Sequence, residues 1–367
     1  MRNKIVTISF LLLICVFSVG TLVAKDRSFS DIENRNLEQL PVPSLHTVAD
    51  GAFMKSFEKY MSDQIVFKDE LVKLMVSCER TMGQTLINDV YFAKNGTLLQ
   101  SFDKPDKTLE DNLSYIEEFA ADNEDLRVKW FLIPNACEIY SDELPDYASC
   151  YSQSFVLNNI RQQVKGVEIY DCQDELKAAA DDYIYYKTDH HWTMDGAYIG
   201  YRKLAQCLGL RVREKDSYEI STAADDFLGS LYSKAPTFNE NFDKIKLYNI
   251  SGDYELEFED GSTMEGFYKY ENLGIKDKYT VYMDGNHSLV KIKNRYSNGD
   301  SLLILKDSYA HCLIPFLAEY YSEIYVVDLR YYHRSVSELA RQNGIKDVLL
   351  INNIDFVCTD NSYLWLK

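Results

Sequence analysis

Residues 301–309 read Ser-Leu-Leu-Ile-Leu-Lys-Asp-Ser-Tyr, and this stretch decides the fold. Its apolar run predicts a buried strand from Ser301 to Leu305 that leads through a short polar turn into Ser308. A helix is expected next, from about 310 to 321. The same alternation continues with a strand over Ile324–Leu329, a helix over 334–343 and a strand over Val348–Ile351. Alternating strands and helices are typical of a parallel sheet covered by helices.

The alternation also extends toward the N-terminus, as far as residue 106. It predicts helices over 106–123, 153–165 and 193–208, and strands over Val128–Ile133 and Val167–Tyr170. Residues 211–297 interrupt it with short Tyr, Ile, Val and Phe runs between Asp, Gly and Asn, which indicates a β-rich insertion. We therefore predict a three-layer α/β domain with a parallel sheet over residues 101–367, and the insertion within it.

The first 24 residues indicate the compartment. Arg2 and Lys4 precede an uncharged run from Ile5 to Ala24, and about 20 apolar residues suffice to cross a bilayer as a helix. Leu22 stands where a cleavage site after Ala24 would require a small residue, so an uncleaved single-pass anchor is favoured over a cleaved signal. Basic residues before the span place the rest on the extracytoplasmic face of the cell membrane. Residues 25–100 are predicted as a helical approach segment, with a helix over 51–83, and a hairpin.

The charge of the chain excludes one class of partner. The net charge is −18 over 367 residues. Nucleic acids and anionic membranes would repel such a chain, so neither is expected as a direct partner.

Ser308 is a candidate nucleophile because it follows the end of a buried strand. Ligands of open α/β sheets bind at the carboxyl ends of the strands, where amides of a following helix could stabilise an oxyanion. The alternative is structural: Ser308 could only cap the helix that follows.

A second candidate segment reads Asp189-His190-His191-Trp192-Thr193. A serine nucleophile needs an imidazole base and an acid that orients it, and on an extended segment Asp189 and His191 would share a side while His190 faces away. Two alternatives stay open. The three residues could bind a metal, although they lack the spacing of helical ligands. Thr193 could also cap the helix over 193–208, with both histidines structural.

These segments carry a resemblance to a known family. Residues 185–193, Tyr-Tyr-Lys-Thr-Asp-His-His-Trp-Thr, and the later Asp307-Ser308-Tyr309-Ala310-His311 resemble the DHHW family of bacterial surface proteins, from about Glu33 to the C-terminus. That family is similar to the SGNH-hydrolase-like domains of alginate O-acetylation proteins. The resemblance implies an SGNH-like fold and a triad in which Asp189 orients, His191 acts as base and Ser308 as nucleophile.

The sequence departs from that pattern at the expected oxyanion hole. Ordinary SGNH hydrolases have a glycine before the Asp-Ser pair, where this chain has Lys306. Asn286 and Asn135 are candidate donors to an oxyanion, although Asn286 also suits a β-turn. Arg330 closes a strand at the same sheet edge and could bind an anionic group or pair with Asp328. His311 is a rival base one helical turn beyond Ser308, but it would have to reach backward along the same helix, so an ordinary helix position is favoured for it.

The resemblance implies an extracytoplasmic serine O-acyltransferase or esterase acting on a surface polysaccharide, with acetyl as the expected group. No cofactor is expected, and a membrane protein could supply the acyl donor. The alternative is a non-catalytic surface protein that keeps the scaffold for glycan binding or assembly. A metallohydrolase is a third, less favoured hypothesis.

Overall fold

The computed structural model describes residues 2–366, which divide into two compact units. One contains residues 2–88 and 232–240, and the other contains residues 89–231 and 241–366. The boundary thus follows Asn88, whereas the sequence placed the start of the α/β domain after residue 100. The functional division into anchor, approach segment and SGNH-like domain stays a prediction.

The smaller unit is mainly helical. Its elements are α1 (Arg2–Val23), β1 (Phe29–Ser30), β2 (Arg35–Asn36), α2 (Leu45–Ala49), α3 (Ala52–Gln64), α4 (Lys68–Thr81) and β3 (Leu86–Ile87). Within α1, residues Asn3–Val23 have a mean hydropathy of 2.6 and are long and apolar enough to cross a membrane. This helix is thus a candidate signal or anchor.

The single helix expected over 51–83 is wrong, because α3 and α4 are separate helices. The helical conformation is interrupted at Phe67, whose φ of 61° lies in the left-handed region that an α-helix cannot continue through. Before the break, near the end of α3, the buried Asp63 accepts from Arg35 at 2.6 Å and from Lys68 at 2.8 Å. The Arg35 guanidinium lowers the pKa of Asp63 and outweighs the effect of its burial.

The larger unit contains most of the strands. In chain order the elements are β4 (Val90–Phe92), β5 (Leu98–Gln100), α5 (Lys107–Asp122), β6 (Arg127–Ile133), α6 (Ala136–Ile139), α7 (Gln153–Gln163), β7 (Glu168–Asp171), α8 (Gln173–Ala178), α9 (Met194–Cys207), β8 (Ile220–Phe227), α10 (Ser230–Lys234, which crosses the unit boundary), β9 (Asp243–Tyr248), β10 (Tyr254–Phe258), β11 (Thr263–Glu265), β12 (Leu289–Asn294), β13 (Ser301–Lys306), α11 (Ile314–Leu317), β14 (Glu323–Val327), α12 (Val336–Gln342), β15 (Asp347–Asn353) and α13 (Ile354–Thr359).

Eight of these strands form one sheet in the order β11-β10-β12-β14-β13-β15-β6-β7. The five from β14 to β7 are parallel, whereas β12, β10 and β11 are antiparallel. The predicted α/β fold with a large, mostly parallel sheet is confirmed. The residues predicted as an insertion also supply β10, β11 and β12, so this segment widens the sheet.

The register of the central strands brings three polar positions to one edge. Lys306 is level with Ile351, and Asn353 is level with Ile133. Asp307, Asn353 and Asn135 therefore lie at or just beyond the carboxyl ends of β13, β15 and β6. The strand that leads to Asp307, β13, lies in the core, because Leu302–Leu305 are almost completely buried.

The helix expected from 310 to 321 is wrong in extent. A 3₁₀ turn spans Ser308–Cys312, and α11 contains four residues only. Pro315 stands at the start of α11, and a proline has no N–H with which to continue hydrogen bonding from a preceding helical turn.

Candidate active site

Ser308 is the first residue of the 3₁₀ turn, and Asp307 alone separates it from the end of β13. Asp307 provides the cap of this turn, since its Oδ1 accepts from the amide of Tyr309 at 2.8 Å. Its Oδ2 accepts from the amide and the side chain of Asn353, at 2.6 and 2.8 Å. Burial raises the pKa of Asp307 to about 6. The capping role considered for Ser308 thus belongs to Asp307, and the half-buried Ser308 side chain makes other contacts.

The structure brings Ser308, His191 and Asp189 together in one chain of hydrogen bonds. His191 Nε2 lies 2.7 Å from Ser308 Oγ, and His191 Nδ1 lies 2.5 Å from Asp189 Oδ1. An ionised carboxylate can only accept, so Nδ1–H donates to Asp189 and Nε2 is left to accept from the serine hydroxyl. This tautomer is the one that a base for Ser308 requires.

Asp189 is held in place by backbone donors. Its Oδ1 accepts from the amide of His191 at 3.0 Å, and its Oδ2 accepts from the amide of Ser230 at 2.8 Å. Burial opposes ionisation of this carboxyl group, but the neighbouring imidazoles of His191 and His190 and the hydrogen bonds from the His191 side chain and the Ser230 amide outweigh it and lower its pKa. Gly229 permits the close approach, because a Cβ on it would lie 2.2 Å from the Asp189 Cβ.

The loop that carries Asp189 is fixed by a second carboxylate, which the sequence did not single out. Asp243, at the start of β9, accepts from the amides of Lys187 and Thr188 at 2.8 and 2.7 Å and from the Tyr183 hydroxyl at 2.5 Å. Trp192 is fully buried and donates from Nε1 to the carbonyl of Tyr309 at 2.9 Å. The loop is therefore tied both to β9 and to the turn that carries Ser308.

His190 does not face away from His191, contrary to the sequence expectation. The segment is bent rather than extended, and the two imidazole centroids are 3.8 Å apart. His190 Nδ1 lies 2.6 Å from Ser230 Oγ, and its carbonyl accepts from the Tyr309 hydroxyl. Thr193 caps α9 by accepting from the amide of Gly196 at 3.2 Å.

The metal hypothesis concerns the same group of side chains. Ligand atoms of Asp189, His190 and His191 lie within 4.8 Å of one another. However, both nitrogens of His191 already face Asp189 and Ser308. A metal bound here would have to displace at least one of these hydrogen bonds, so the donor set fits the serine arrangement better.

Tyr279 is a contact of the site that sequence reasoning missed. Its ring is stacked on the His191 imidazole, and its hydroxyl donates to the carbonyl of Ser308 at 3.0 Å. It lies in the irregular part of the predicted insertion, where no periodicity marks it. Asn353 was also missed, although its position after an apolar strand matches that of Asp307 after β13.

A shallow pocket of about 200 Å³ opens at Ser308. Its lining includes His190, Asn135 and Arg330, but not Asn286. The side-chain amide of Asn135 donates to the Tyr309 hydroxyl at 3.1 Å and to Asn353 Oδ1 at 3.3 Å. Asn135 is therefore engaged within the wall of the pocket, and Arg330 brings a positive charge to its edge.

Arg330 belongs to a cluster of charges that includes the buried Lys306 and Asp328. Its guanidinium donates to both oxygens of Asp328, at 2.8 and 2.6 Å, and to Asn286 Oδ1 at 3.1 Å. Lys306 donates to the same Asp328 at 2.8 Å and to Asn286 at 3.3 Å. Burial lowers the pKa of Lys306, whereas the Lys306 and Arg330 charges lower that of Asp328 against the effect of its own burial. The Arg330–Asp328 pair considered from the sequence is present.

The contacts of His311 are those of a structural residue rather than of a rival base. Its Nε2 accepts from Lys306 Nζ at 2.9 Å, and the side chain is almost completely buried. Burial and the neighbouring Lys306 charge hold its pKa well below the usual histidine value. His191, not His311, is the imidazole that contacts Ser308.

The profile of the family described as "DHHW protein" matches residues 125–327 of this chain. A DHHW family protein from Eubacterium siraeum has a similar structure, with a TM-score of 0.64 and 26% identity over 75% of this chain and 94% of that one. No functionally curated protein matches the chain.

Bacillus cereus PatB1 shares the fold. Its structure aligns with a TM-score of 0.63 and 21% identity over 72% of this chain and 96% of that one. PatB1 with a sulfonyl adduct aligns with a TM-score of 0.64 and 20% identity, over 76% of this chain and 100% of that one.

Proposed function

The chain belongs to the DHHW protein family, and we propose that it is an extracytoplasmic serine O-acyltransferase or esterase that acts on a cell-surface polysaccharide. The observation that carries the proposal is the chain of hydrogen bonds from Ser308 through His191 to Asp189. A half-buried serine at the edge of a pocket, with an oriented imidazole beside it, has the parts that acyl transfer needs.

In the first half of the reaction, His191 Nε2 takes the proton of the Ser308 hydroxyl while Oγ attacks the carbonyl carbon of the ester. The tetrahedral intermediate collapses when the bond to the leaving alcohol breaks and His191 returns the proton to that oxygen. The acyl group is then bonded to Ser308 Oγ. Asp189 keeps the imidazole in the required tautomer and stabilises its positive charge.

In the second half, a sugar hydroxyl or a water molecule enters the pocket. His191 takes its proton as the oxygen attacks the acyl carbon, and the proton then passes to Ser308 Oγ as that bond breaks. Transfer to the sugar restores the enzyme and produces an acylated polysaccharide, whereas attack by water produces the free acid. The two outcomes differ only in the acceptor.

The negative charge of each tetrahedral intermediate needs donors. The Ser308 amide is at the first position of a 3₁₀ turn, where an N–H has no carbonyl partner within the turn. Arg330 lines the same pocket and is oriented by Asp328. We assign these two groups to the oxyanion, since Asn135 is engaged in the wall and Asn286 lies outside the pocket lining.

The surroundings of the site also support this proposal. The apolar helix α1 would hold the chain at the membrane, with residues from Lys25 onward on the outside. There a membrane protein could supply the acyl donor, and a surface polysaccharide would be within reach. Acetyl is the expected group because of the resemblance to alginate O-acetylation proteins.

The test is intact-mass analysis of the full-length chain in nanodiscs after exposure to a fluorophosphonate. We expect one adduct on the wild type and none on Ser308→Ala or His191→Ala. Ser114→Ala is the matched control, because Ser114 is exposed on α5, and it should label as the wild type does. A sulfonyl fluoride is a second probe, chosen because PatB1 has been solved with a sulfonyl adduct.

An adduct that persists in Ser308→Ala would refute the assignment of the nucleophile. Absence of any adduct, with a folded chain, would favour the alternative of a non-catalytic protein that binds glycans. Loss of activity toward acetate esters on addition of a chelator would instead support the metal hypothesis.

A further inference from the structure

A second, larger pocket lies in the same unit as Ser308. Its volume is about 490 Å³, within the range of typical ligand pockets. We call it the tyrosine pocket, because Tyr140, Tyr183 and Tyr185 line it together with Phe242. Phe242 is 46% exposed, so apolar surface is available to a ligand.

Polar groups of both charges complete the lining of the tyrosine pocket. Two lysines, Lys187 and Lys244, and two aspartates, Asp181 and Asp182, contribute to it, so their formal charges cancel. Aromatic faces with donors and acceptors around them suit a pyranose ring, which has apolar C–H faces and a rim of hydroxyl groups. The charge balance favours a neutral sugar over a uronic acid.

Three short stretches of chain run from the lining of the Ser308 pocket to the lining of the tyrosine pocket. Each stretch places one residue in the Ser308 pocket and another, three to five positions away, in the tyrosine pocket. The pairs are Gln100 and Thr97, His190 and Lys187, and Asn135 and Tyr140. Three residues of a strand span about 10 Å, so the two pockets are close neighbours.

We propose that the tyrosine pocket is a sugar-binding subsite, which holds a neutral pyranose unit of the polysaccharide whose neighbouring unit is acylated or deacylated at Ser308. This inference rests on the proposed function for the identity of the polymer. It adds that the enzyme recognises its substrate as a chain of sugars rather than as an isolated ester. The pocket at Ser308, at about 200 Å³, is too small to provide that recognition alone.

The buried Asp243 links the two pockets further. It accepts from Tyr183, whose ring lines the tyrosine pocket, and from the amides of Lys187 and Thr188, which lead to Asp189. A sugar that packs against Tyr183 would therefore contact the same hydrogen-bonded loop that carries the base.

The test measures binding without turnover. Calorimetric titrations use full-length Ser308→Ala in nanodiscs, because detergents with sugar head groups would compete. The probes are two neutral hexasaccharides, of β-1,4-linked N-acetylglucosamine and of β-1,4-linked glucose, and one acidic hexagalacturonate. We expect at least one neutral hexasaccharide to bind, and Phe242→Ala in the same background to weaken it about fivefold to tenfold.

Tyr296→Ala is the matched control, since Tyr296 is 78% exposed and does not line the tyrosine pocket; its binding should equal that of Ser308→Ala alone. Lys244→Gln gives a second test of the lining, and equal melting temperatures verify that each variant is folded. The proposal is overturned if neither neutral hexasaccharide binds, if hexagalacturonate binds more tightly, or if neither Phe242→Ala nor Lys244→Gln weakens binding. Sugar binding without fluorophosphonate labelling of the wild type would refute the proposed function but support the sugar-binding subsite. Labelling without sugar binding would support the proposed function but refute the subsite.

Discussion

The ring of Tyr279 lies flat on the imidazole of His191, with centroids 3.7 Å apart and planes 6° apart. The same tyrosine donates from its hydroxyl to the carbonyl of Ser308 at 3.0 Å. One side chain thus touches both the proposed base and the backbone of the proposed nucleophile. Burial raises the pKa of Tyr279 well above its usual value, so the hydroxyl keeps its proton and remains a donor.

We expect Tyr279→Phe and Tyr279→Leu to separate these two contacts. Phe keeps the stacked ring but leaves the Ser308 carbonyl without this donor, which should cost about 1–3 kcal/mol of unfolding free energy. Tyr279→Leu also loses the ring contact, which should lower the unfolding free energy by about a further 0.5–1.5 kcal/mol. This variant should also label more slowly with fluorophosphonate than Tyr279→Phe. Denaturant unfolding and labelling rates measure both effects. Equal labelling rates for Phe and Leu would contradict an orienting role of the stack.

Asp189→Asn is expected to abolish most of the reactivity of Ser308 while the chain stays folded. An asparagine can present an amide donor to His191 Nδ1, which favours the tautomer whose Nε2–H cannot accept the serine proton. We expect the rate of fluorophosphonate labelling to fall by roughly 10³–10⁴-fold. A fall of less than about tenfold would indicate that Asp189 does not orient the base.

Gly229→Ala tests the packing behind Asp189. The new methyl group would lie 2.2 Å from the Asp189 Cβ and 2.5 Å from its Oδ2, so the carboxylate must move. A displacement of about 1 Å typically costs about 100-fold in rate, and we expect a loss of this size in labelling. Gly274→Ala is the control, because nothing lies within 4 Å of its added Cβ. If both variants label equally, the position of Asp189 is not critical.

His311 should make the fold sensitive to acid. In the folded protein its pKa lies well below 6.5, so below pH 6.5 the unfolded chain binds a proton that the folded chain does not. Stability from this group is therefore present above pH 6.5 and lost as the pH falls below that value. The loss is about 1.4 kcal/mol for one pH unit.

The comparison is between wild type and His311→Gln at pH 7.5 and 5.5, by denaturant unfolding. We expect the wild type to lose about 1.4 kcal/mol more than the variant over this interval. Asp307, whose pKa is raised to about 6, contributes in the opposite direction, since its stability contribution falls as the pH rises from 3.8 to 6. That contribution is common to both proteins and cancels. His46→Gln, at an exposed histidine, should behave as the wild type does.

The sequence predicted the features that local patterns determine. The apolar run Leu302–Leu305 lies in a central strand, because a strand buried on both faces is continuously apolar rather than alternating. Thr193 caps a helix because its hydroxyl can accept from the amide three residues later. Asp189 and His191 lie within hydrogen-bonding distance, but through a bend rather than through the extended segment on which their spacing was interpreted.

The remaining features depend on contacts between distant parts of the chain. Asp243 and Tyr279 lie in a segment without regular periodicity, and their contacts to the Asp189 loop and to His191 exist only in the folded state. The antiparallel strands of the predicted insertion join the main sheet through β14, a partner that hydrophobic pattern alone does not specify. Lys306 appeared as a departure from a family pattern, whereas its role depends on Asp328, which follows a different strand.

The position of β13 in the sheet sets the order in which the candidate site can be completed as the chain emerges. β13 pairs with β14 on one side and β15 on the other, and both follow it in the chain. In the proposed arrangement, with α1 as an N-terminal anchor, the chain would cross the membrane from its N-terminal side, so Ser308 would emerge before Asn353 can hold Asp307. A chain interrupted before about residue 353 would therefore carry the serine without the support that orients it. Under the proposed function, truncated products should therefore not attack nearby esters, and only a chain that includes Asn353 should be reactive.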